Sequence, residues 1–122
     1  MATSQVTLGY PSGVKVFTET DLENTAISVQ ASSTTIYEIE IDNVANAAQD
    51  NYVKFWNTAG AVTVGTTVPD MVIEVRQGVK RSIVIPDQLI YETGLVVACV
   101  TAGGTGGTTS PGSAVVCKIV YA

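Results

Sequence analysis

The chain of 122 residues has the length of one ordinary domain and a net charge of −5, with six basic and eleven acidic residues. So few cations argue against a nucleic-acid partner, and a hydrophobic share of 46% argues against disorder. The absence of histidine removes the commonest general base and the commonest metal ligand. We therefore expect no catalytic site, no metal and no other cofactor, and we interpret the chain as a binding or assembly protein and not an enzyme.

Residues 1–33 give the weakest signals, and they are interpreted as an N-terminal arm or as the first strands. Short strands are predicted at residues 5–10 and 14–18, and Thr20 to Glu23 fits a capping box for one helical turn. No basic and apolar leader is visible, and no run approaches the roughly 20 apolar residues that span a bilayer. We expect synthesis in the cytoplasm, no export by a standard signal and no membrane partner.

Residues 34–122 are predicted to form the β-sandwich core, so that the whole chain is one domain. The clearest alternation lies at residues 35–41, where Tyr37, Ile39 and Ile41 point one way and Glu38 and Glu40 point the other. Turn-forming residues follow, and residues 60–69 are predicted to be a loop or a short edge strand.

A second alternating strand is predicted at residues 52–57. Val53 and Phe55 share one face, and Lys54 and Trp56 share the other. An outward Trp56 is a candidate contact residue, because exposed tryptophan often anchors a partner. Burial of Trp56 beneath a loop is the equal alternative.

Residues 70–76 and 79–85 alternate on either side of Gln77 and Gly78, a pattern typical of a β-hairpin. Pro86 and Asp87 are expected to end its second strand. In total we count seven or eight strands, which predicts an all-β fold, a single antiparallel β-sandwich of the jelly-roll or immunoglobulin-like kind.

The last two apolar runs, residues 94–102 and 113–122, are predicted to pair as a hairpin around a mobile loop at residues 103–112. A symmetric register places Cys99 opposite Cys117, both as reduced thiols. Apolar residues would then line both faces of this hairpin, which predicts self-association. The outward valines are taken as candidate contact residues: Val96, Val100, Val116 and Val120. Val100→Glu is expected to break the oligomer without unfolding the chain.

Two chemical alternatives are weaker. Glu38 and Glu40 could form a carboxylate pair for glycoside hydrolysis, but alternation favours a solvated strand face. The following turn offers oxygen ligands for calcium: Asp42, Asn43, Asn46 and Asp50. Their spacing does not match an EF-hand, and turn formation is the simpler interpretation.

Three segments, TIYEIEIDN, DNYVKFWNTAGAVTVGTTVPDMVIEV and ETGLVVACVTAGGTGGTTSP, resemble small β-rich structural proteins of tailed bacteriophages, particularly those that decorate or cement the capsid. The resemblance covers roughly residues 34–122. It implies a β-sandwich, often trimeric, that is made in the host cytoplasm and binds the major capsid protein on the virion surface.

The sequence therefore predicts a capsid decoration or cement protein, with the major capsid protein and copies of itself as partners. The alternative is a host-surface or glycan-binding module of a fibre or tail, in which Trp56, Tyr52 and Tyr91 would stack on sugar rings.

Overall fold

A computed structural model describes residues 13–122, which fold into eight strands in two four-stranded antiparallel sheets without a helix in that range. The strands are β1 Lys15–Glu19, β2 Ile27–Gln30, β3 Thr34–Asp42, β4 Asn51–Trp56, β5 Met71–Val75, β6 Lys80–Tyr91, β7 Leu95–Val100 and β8 Val116–Tyr121. The predicted all-β sandwich is confirmed.

The strand order identifies the sandwich as a jelly roll. Sheet A has the order β1-β8-β3-β6, and sheet B has the order β2-β7-β4-β5. Each sheet contains two pairs from one long antiparallel ribbon, in which the first strand meets the last, the second meets the seventh, and so on inward. Folding that ribbon so that successive pairs alternate between sheets gives the double Greek key of the jelly roll.

The core lies between the sheets and follows the predicted alternation of β3 and β4. Ile39 and Ile41 from sheet A meet Val53 and Phe55 from sheet B, and all four side chains are buried. Their β-branched and aromatic shapes suit a pleated, half-buried surface, which explains why both segments form strands. The predicted inward face of each strand is confirmed at these positions.

The predicted pairing of the last two strands is wrong, because β7 and β8 belong to different sheets. Cys99 pairs with Val53 in sheet B, whereas Cys117 pairs with Ile41 and Glu19 in sheet A. Both cysteines are free thiols buried in the core between the sheets. Both strands are apolar at nearly every position. Matching apolar residues between strands therefore could not show which strands pair.

The predicted hairpin of residues 70–76 and 79–85 is also wrong, although Gln77 and Gly78 do form a turn, with φ +68° at Gly78. The turn carries the chain from sheet B to sheet A. Side chains of the β3–β4 connection direct this crossing. The Asn43 amide donates to the Val75 and Arg76 carbonyls at 3.2 and 3.0 Å, and the Gln77 amide donates to Asp50 at 2.8 Å.

Pro86 and Asp87 interrupt β6 without ending it. The pairing with β3 steps from Val84–Glu38 to Leu89–Ile36, which leaves four residues of β6 opposite one residue of β3. Gln88 in this bulge has φ +66°. An edge strand tolerates such a bulge and the missing amide of proline, so pairing resumes beyond it.

The described part of the first 33 residues contributes a strand to each sheet. β1 pairs with β8 and β2 pairs with β7, whereas the predicted strand at residues 5–10 lies outside the described residues. The helical turn predicted from Thr20 to Glu23 is absent. That segment instead crosses between the sheets, with Leu22 fully buried and its amide bonded to the Val115 carbonyl at 2.9 Å.

Candidate contact surface

The outer side of β4 and β7 in sheet B is covered by loops of the same chain. Trp56 points outward, as predicted, but packs with Val96, Ala98 and residues of the loop at 60–69. Its indole N–H donates to the Thr67 carbonyl at 3.0 Å, so the loop both shields the ring from water and accepts its hydrogen bond. The alternative of a buried Trp56 is confirmed, and so is the predicted loop.

The glycine-rich loop between β7 and β8, residues 101–112, covers the neighbouring part of the same face. Lys54 lies beneath it, completely buried, and its Nζ donates to the Gly104 and Gly107 carbonyls at 2.7 and 3.2 Å. Burial lowers the pKa of Lys54 below its usual value of 10.5. Further hydrogen bonds hold residues 108–112. The Asn24 side chain donates to the Thr108 carbonyl and its backbone amide donates to the Ser110 hydroxyl, while Gln49 Oε1 accepts from the Gly112 amide.

The two loops also touch one another. A Cβ atom on Gly65, which has φ +95°, would lie 2.4 Å from the Thr108 methyl group. Glycine is therefore required for this close approach as well as for the backbone conformation. Neither loop segment, 60–69 or 101–112, contains a charged residue. The two loops thus form an uncharged layer over β4 and β7, whereas Val72 and Glu74 on the outer side of edge strand β5 remain exposed.

Three of the five predicted contact residues lie under this layer or within its sheet. Trp56, Val96 and Val100 are buried in the single chain, so they cannot form a contact surface in this conformation. The apolar outer face of β7 is explained by cover from the same chain, and it no longer argues for self-association. Val116 and Val120 on β8 are half-buried, and their role as contacts stays a prediction.

The outer face of sheet A, which we call the open face, differs because exposed apolar residues lie on both of its edge strands. In the register, Val16 pairs with Val120, Val120 with Glu38, and Glu38 with Val84. One row across all four strands therefore carries three valines and one carboxylate. Val16 and Val84, at its two ends, are 63% and 62% exposed, and Ile90 on the same side of β6 is 53% exposed.

Charges on the open face are mixed and sit mainly in the adjoining row. That row consists of Thr18, Lys118, Glu40 and Ser82 in register. Lys80 approaches Glu40 at 3.3 Å, a surface ion pair of small energetic value. Apolar and charged groups are thus interleaved on a sheet surface, as in the contact regions of non-obligate complexes.

Sequence reasoning missed Val16, Val84 and Ile90 as surface residues. The alternation of residues 79–85 did place Val84 opposite Ile83 and Ile85, so that signal was available. Ile90 had no comparable signal, because the predicted end of the strand at Pro86 and Asp87 hid the last residues of β6. The short β1 strand gave too few positions to fix the outward direction of Val16.

The acidic alternatives take part in ordinary structural interactions. Glu40 pairs with Lys80, as described above. In the turn, an Asp42 oxygen accepts from the Val44 amide at 3.0 Å and Asn46 Oδ1 accepts from the Ser113 amide at 2.8 Å. Asn43 Oδ1 accepts from the side-chain amides of Asn46 and Asn51. These contacts are those of turns and strand ends, the simpler interpretation of the same residues.

Residues 13–122 contain no pocket and no cluster of three or more acidic or cysteine side chains that could hold a metal ion. Within the same range no helix is long and apolar enough to cross a membrane. Burial raises the pKa of Cys99, Cys117 and Tyr91 to about 12. These thiols are poor nucleophiles in the native chain, because the reactive thiolate is disfavoured.

Comparison with protein-family models, with curated proteins and with solved structures gives no match for this chain. The fold and the contrast between the two outer faces are therefore the features that bear on function.

Proposed function

We propose that the chain is a non-enzymatic structural protein of a tailed-bacteriophage virion, a capsid decoration or cement protein that binds the major capsid protein lattice through its open face. The observation that supports this most strongly is the contrast between the two faces of the sandwich. The chain covers the outer side of β4 and β7 in sheet B with its own uncharged loops, but it leaves Val16, Val84 and Ile90 exposed on the two edge strands of sheet A. Exposed apolar residues grouped on one face of a sheet favour a protein contact there.

The fold agrees with this proposal. Jelly rolls occur in viral capsid proteins, and they also occur in lectins and cupins, so the fold alone does not specify a role. The further support is the resemblance of residues 34–122 to phage decoration proteins. Binding would be multivalent: each copy makes a weak contact, and many symmetry-related copies together reinforce the shell.

Substitution of an exposed valine by glutamate tests the binding surface. We expect Val16→Glu to lower the apparent affinity for expanded, decoration-free capsids by at least about tenfold, because an unpaired carboxylate at a contact must lose water. Co-sedimentation with purified capsids measures the bound fraction.

Val44→Glu is the matched control, because Val44 is 56% exposed and lies in the β3–β4 connection away from the open face. It should bind like the wild type. Both substitutions should leave thermal unfolding within about 0.5 kcal/mol of the wild type, as is usual at exposed positions. Equal binding by the two variants would contradict the assignment of the open face, and failure of the wild type to bind would contradict the proposed function.

The proposal includes the homotrimer that the resemblance implies. Two exposed valines, Val68 just before β5 and Val72 on the outer side of β5, lie away from the open face and offer a surface for copies of the chain. Sedimentation equilibrium should give three times the chain mass of 12.7 kDa. A single-chain mass at all concentrations would contradict the trimer while leaving capsid binding to be measured separately.

The glycan-binding alternative receives less support. Of its three stacking residues, Trp56 and Tyr91 are buried. The ring of Tyr52 packs against Gly103, where a Cβ atom would lie 2.9 Å from the ring. A stacking platform needs an exposed aromatic face, which these three residues do not provide together.

A further inference from the structure

Lys54 is a buried cation whose partners are backbone carbonyls. Its side chain has no exposed surface, although lysine is almost never fully buried unless it is paired. Nζ lies 2.7 Å from the Gly104 oxygen, 3.2 Å from the Gly107 oxygen and, at a longer distance, 3.5 Å from the Thr105 oxygen. Among the described residues no carboxylate lies within 4.0 Å of Nζ. The ion pair in this part of the chain joins two other residues, Lys80 and Glu40.

The number and kind of these partners favour a charged ammonium group. An ammonium has three N–H donors and no lone pair, whereas a neutral amine has two donors and a lone pair that would face a carbonyl oxygen. Several converging carbonyl dipoles replace the water that the cation loses on burial. Protein oxygen atoms hold small monovalent cations in the same manner.

The loop sequence makes this arrangement of carbonyls possible. Residues 103–107 read Gly-Gly-Thr-Gly-Gly, and the Gly107 amide donates to the Gly104 carbonyl at 3.1 Å, which closes a turn. A Cβ atom on Gly107 would lie 2.5 Å from the Ala102 oxygen. Glycine at this position therefore lets the loop fold tightly around the lysine nitrogen.

We infer that the carbonyl oxygens of Gly104, Thr105 and Gly107 form a monovalent-cation site, and that the chain fills it with its own Lys54 ammonium group. Residues 103–107 contain no large apolar side chain that could fix their position, so the internal cation is what holds this part of the loop on sheet B. This inference does not depend on the proposed virion role.

Removal of the ammonium should release the loop, and a small cation should restore it. In Lys54→Ala the vacated space matches n-propylammonium, which supplies the missing carbons and nitrogen. Amide hydrogen exchange by NMR reports on the loop through the Gly107 and Thr101 N–H groups, with the Asn43 N–H as a distant reference. We expect protection at the two loop amides to fall by about tenfold or more, and to return in a saturable manner with n-propylammonium.

Three controls separate charge from packing. Lys54→Met keeps an apolar side chain of similar length without the charge, and it should lose loop protection as well. Propan-1-ol and tetramethylammonium should fail to restore Lys54→Ala, because the first lacks charge and the second lacks N–H donors. Unchanged loop protection in Lys54→Met, or equal rescue by propan-1-ol, would overturn the inference.

A measurement on the wild type keeps the inference testable if both variants fail to fold. The ¹⁵Nζ signal of Lys54 should be that of a slowly exchanging NH₃⁺ group, with couplings across hydrogen bonds to the Gly104 and Gly107 carbonyl carbons. A neutral amine signal, or a rapidly exchanging ammonium without such couplings, would contradict a filled cation site.

Discussion

Cys99 and Cys117 are the residues whose chemistry the fold changes most. Both are buried in the core, and burial raises the pKa of each from an ordinary value of 9.0 to about 12. They lie on opposite sheets in one buried cluster, and burial keeps both protonated, which disfavours the thiolate that disulfide formation requires. We therefore expect both thiols to remain free unless the sandwich opens.

The raised thiol pKa values predict a loss of stability in alkali. Between about pH 9 and pH 12 the native chain holds thiol protons that the unfolded chain releases, so the free energy of unfolding falls as pH rises through this window. Each thiol contributes up to about 1.4 kcal/mol per pH unit. Tyr91, whose pKa is also raised to about 12, acts in the same sense, whereas the lowered pKa of Lys54 acts in the opposite sense.

Urea unfolding at a series of pH values between 8 and 11 measures this slope. The double variant Cys99→Ala, Cys117→Ala should show a clearly shallower decline than the wild type, whatever its stability at neutral pH. An identical decline in the two proteins would show that the thiols do not account for the alkaline sensitivity.

At the scale of the strands, β7 is buried on both sides, whereas an ordinary strand of a sandwich has one side in solvent. Its inner side faces the core, and its outer side holds Val96, Ala98 and Val100 beneath loops. Val100→Glu should therefore unfold or strongly destabilise the chain, by about 3 kcal/mol or more, because a carboxylate would be buried without a partner. This outcome replaces the expectation that the substitution breaks an oligomer and spares the fold.

Val16→Glu is the matched comparison on the open face, because Val16 is 63% exposed on the edge strand β1. Its stability should stay close to that of the wild type. Chemical denaturation followed by tryptophan fluorescence compares the two variants, since Trp56 leaves its cover when sheet B opens. Equal stability of Val100→Glu and Val16→Glu would mean that the loops do not seal the outer face of sheet B.

Local alternation predicted which strands form, but it could not predict which strands pair. Ile39 and Ile41, or Val53 and Phe55, reveal their inward direction because neighbours two residues apart share a face. Pairing depends on residues far apart in the chain, such as Cys99 with Val53, and the interchangeable apolar neighbours left the choice open. Asn43 and Asp50 hold the turn at Gln77, where the chain crosses from sheet B to sheet A. No local sequence pattern predicts that these two side chains bind residues so far along the chain.

For the whole molecule, local sequence patterns likewise could not predict which apolar residues form the contact surface. The sequence located an excess of apolar residues in β7 and β8, and part of that excess proved to be covered by residues 60–69 and 101–112. No alternation indicates that a loop will fold over a sheet. The open face, with Val16, Val84 and Ile90, emerged only when the strands were assembled in register.

Electron cryomicroscopy of the particle that carries the protein tests the central proposal most directly. We expect density for the sandwich on the outside of the capsid, with the open face of sheet A against the major capsid protein and the loops at 60–69 and 101–112 directed away from the shell. Density that places those loops against the shell, or that places the protein on a tail or fibre instead of the capsid, would contradict it.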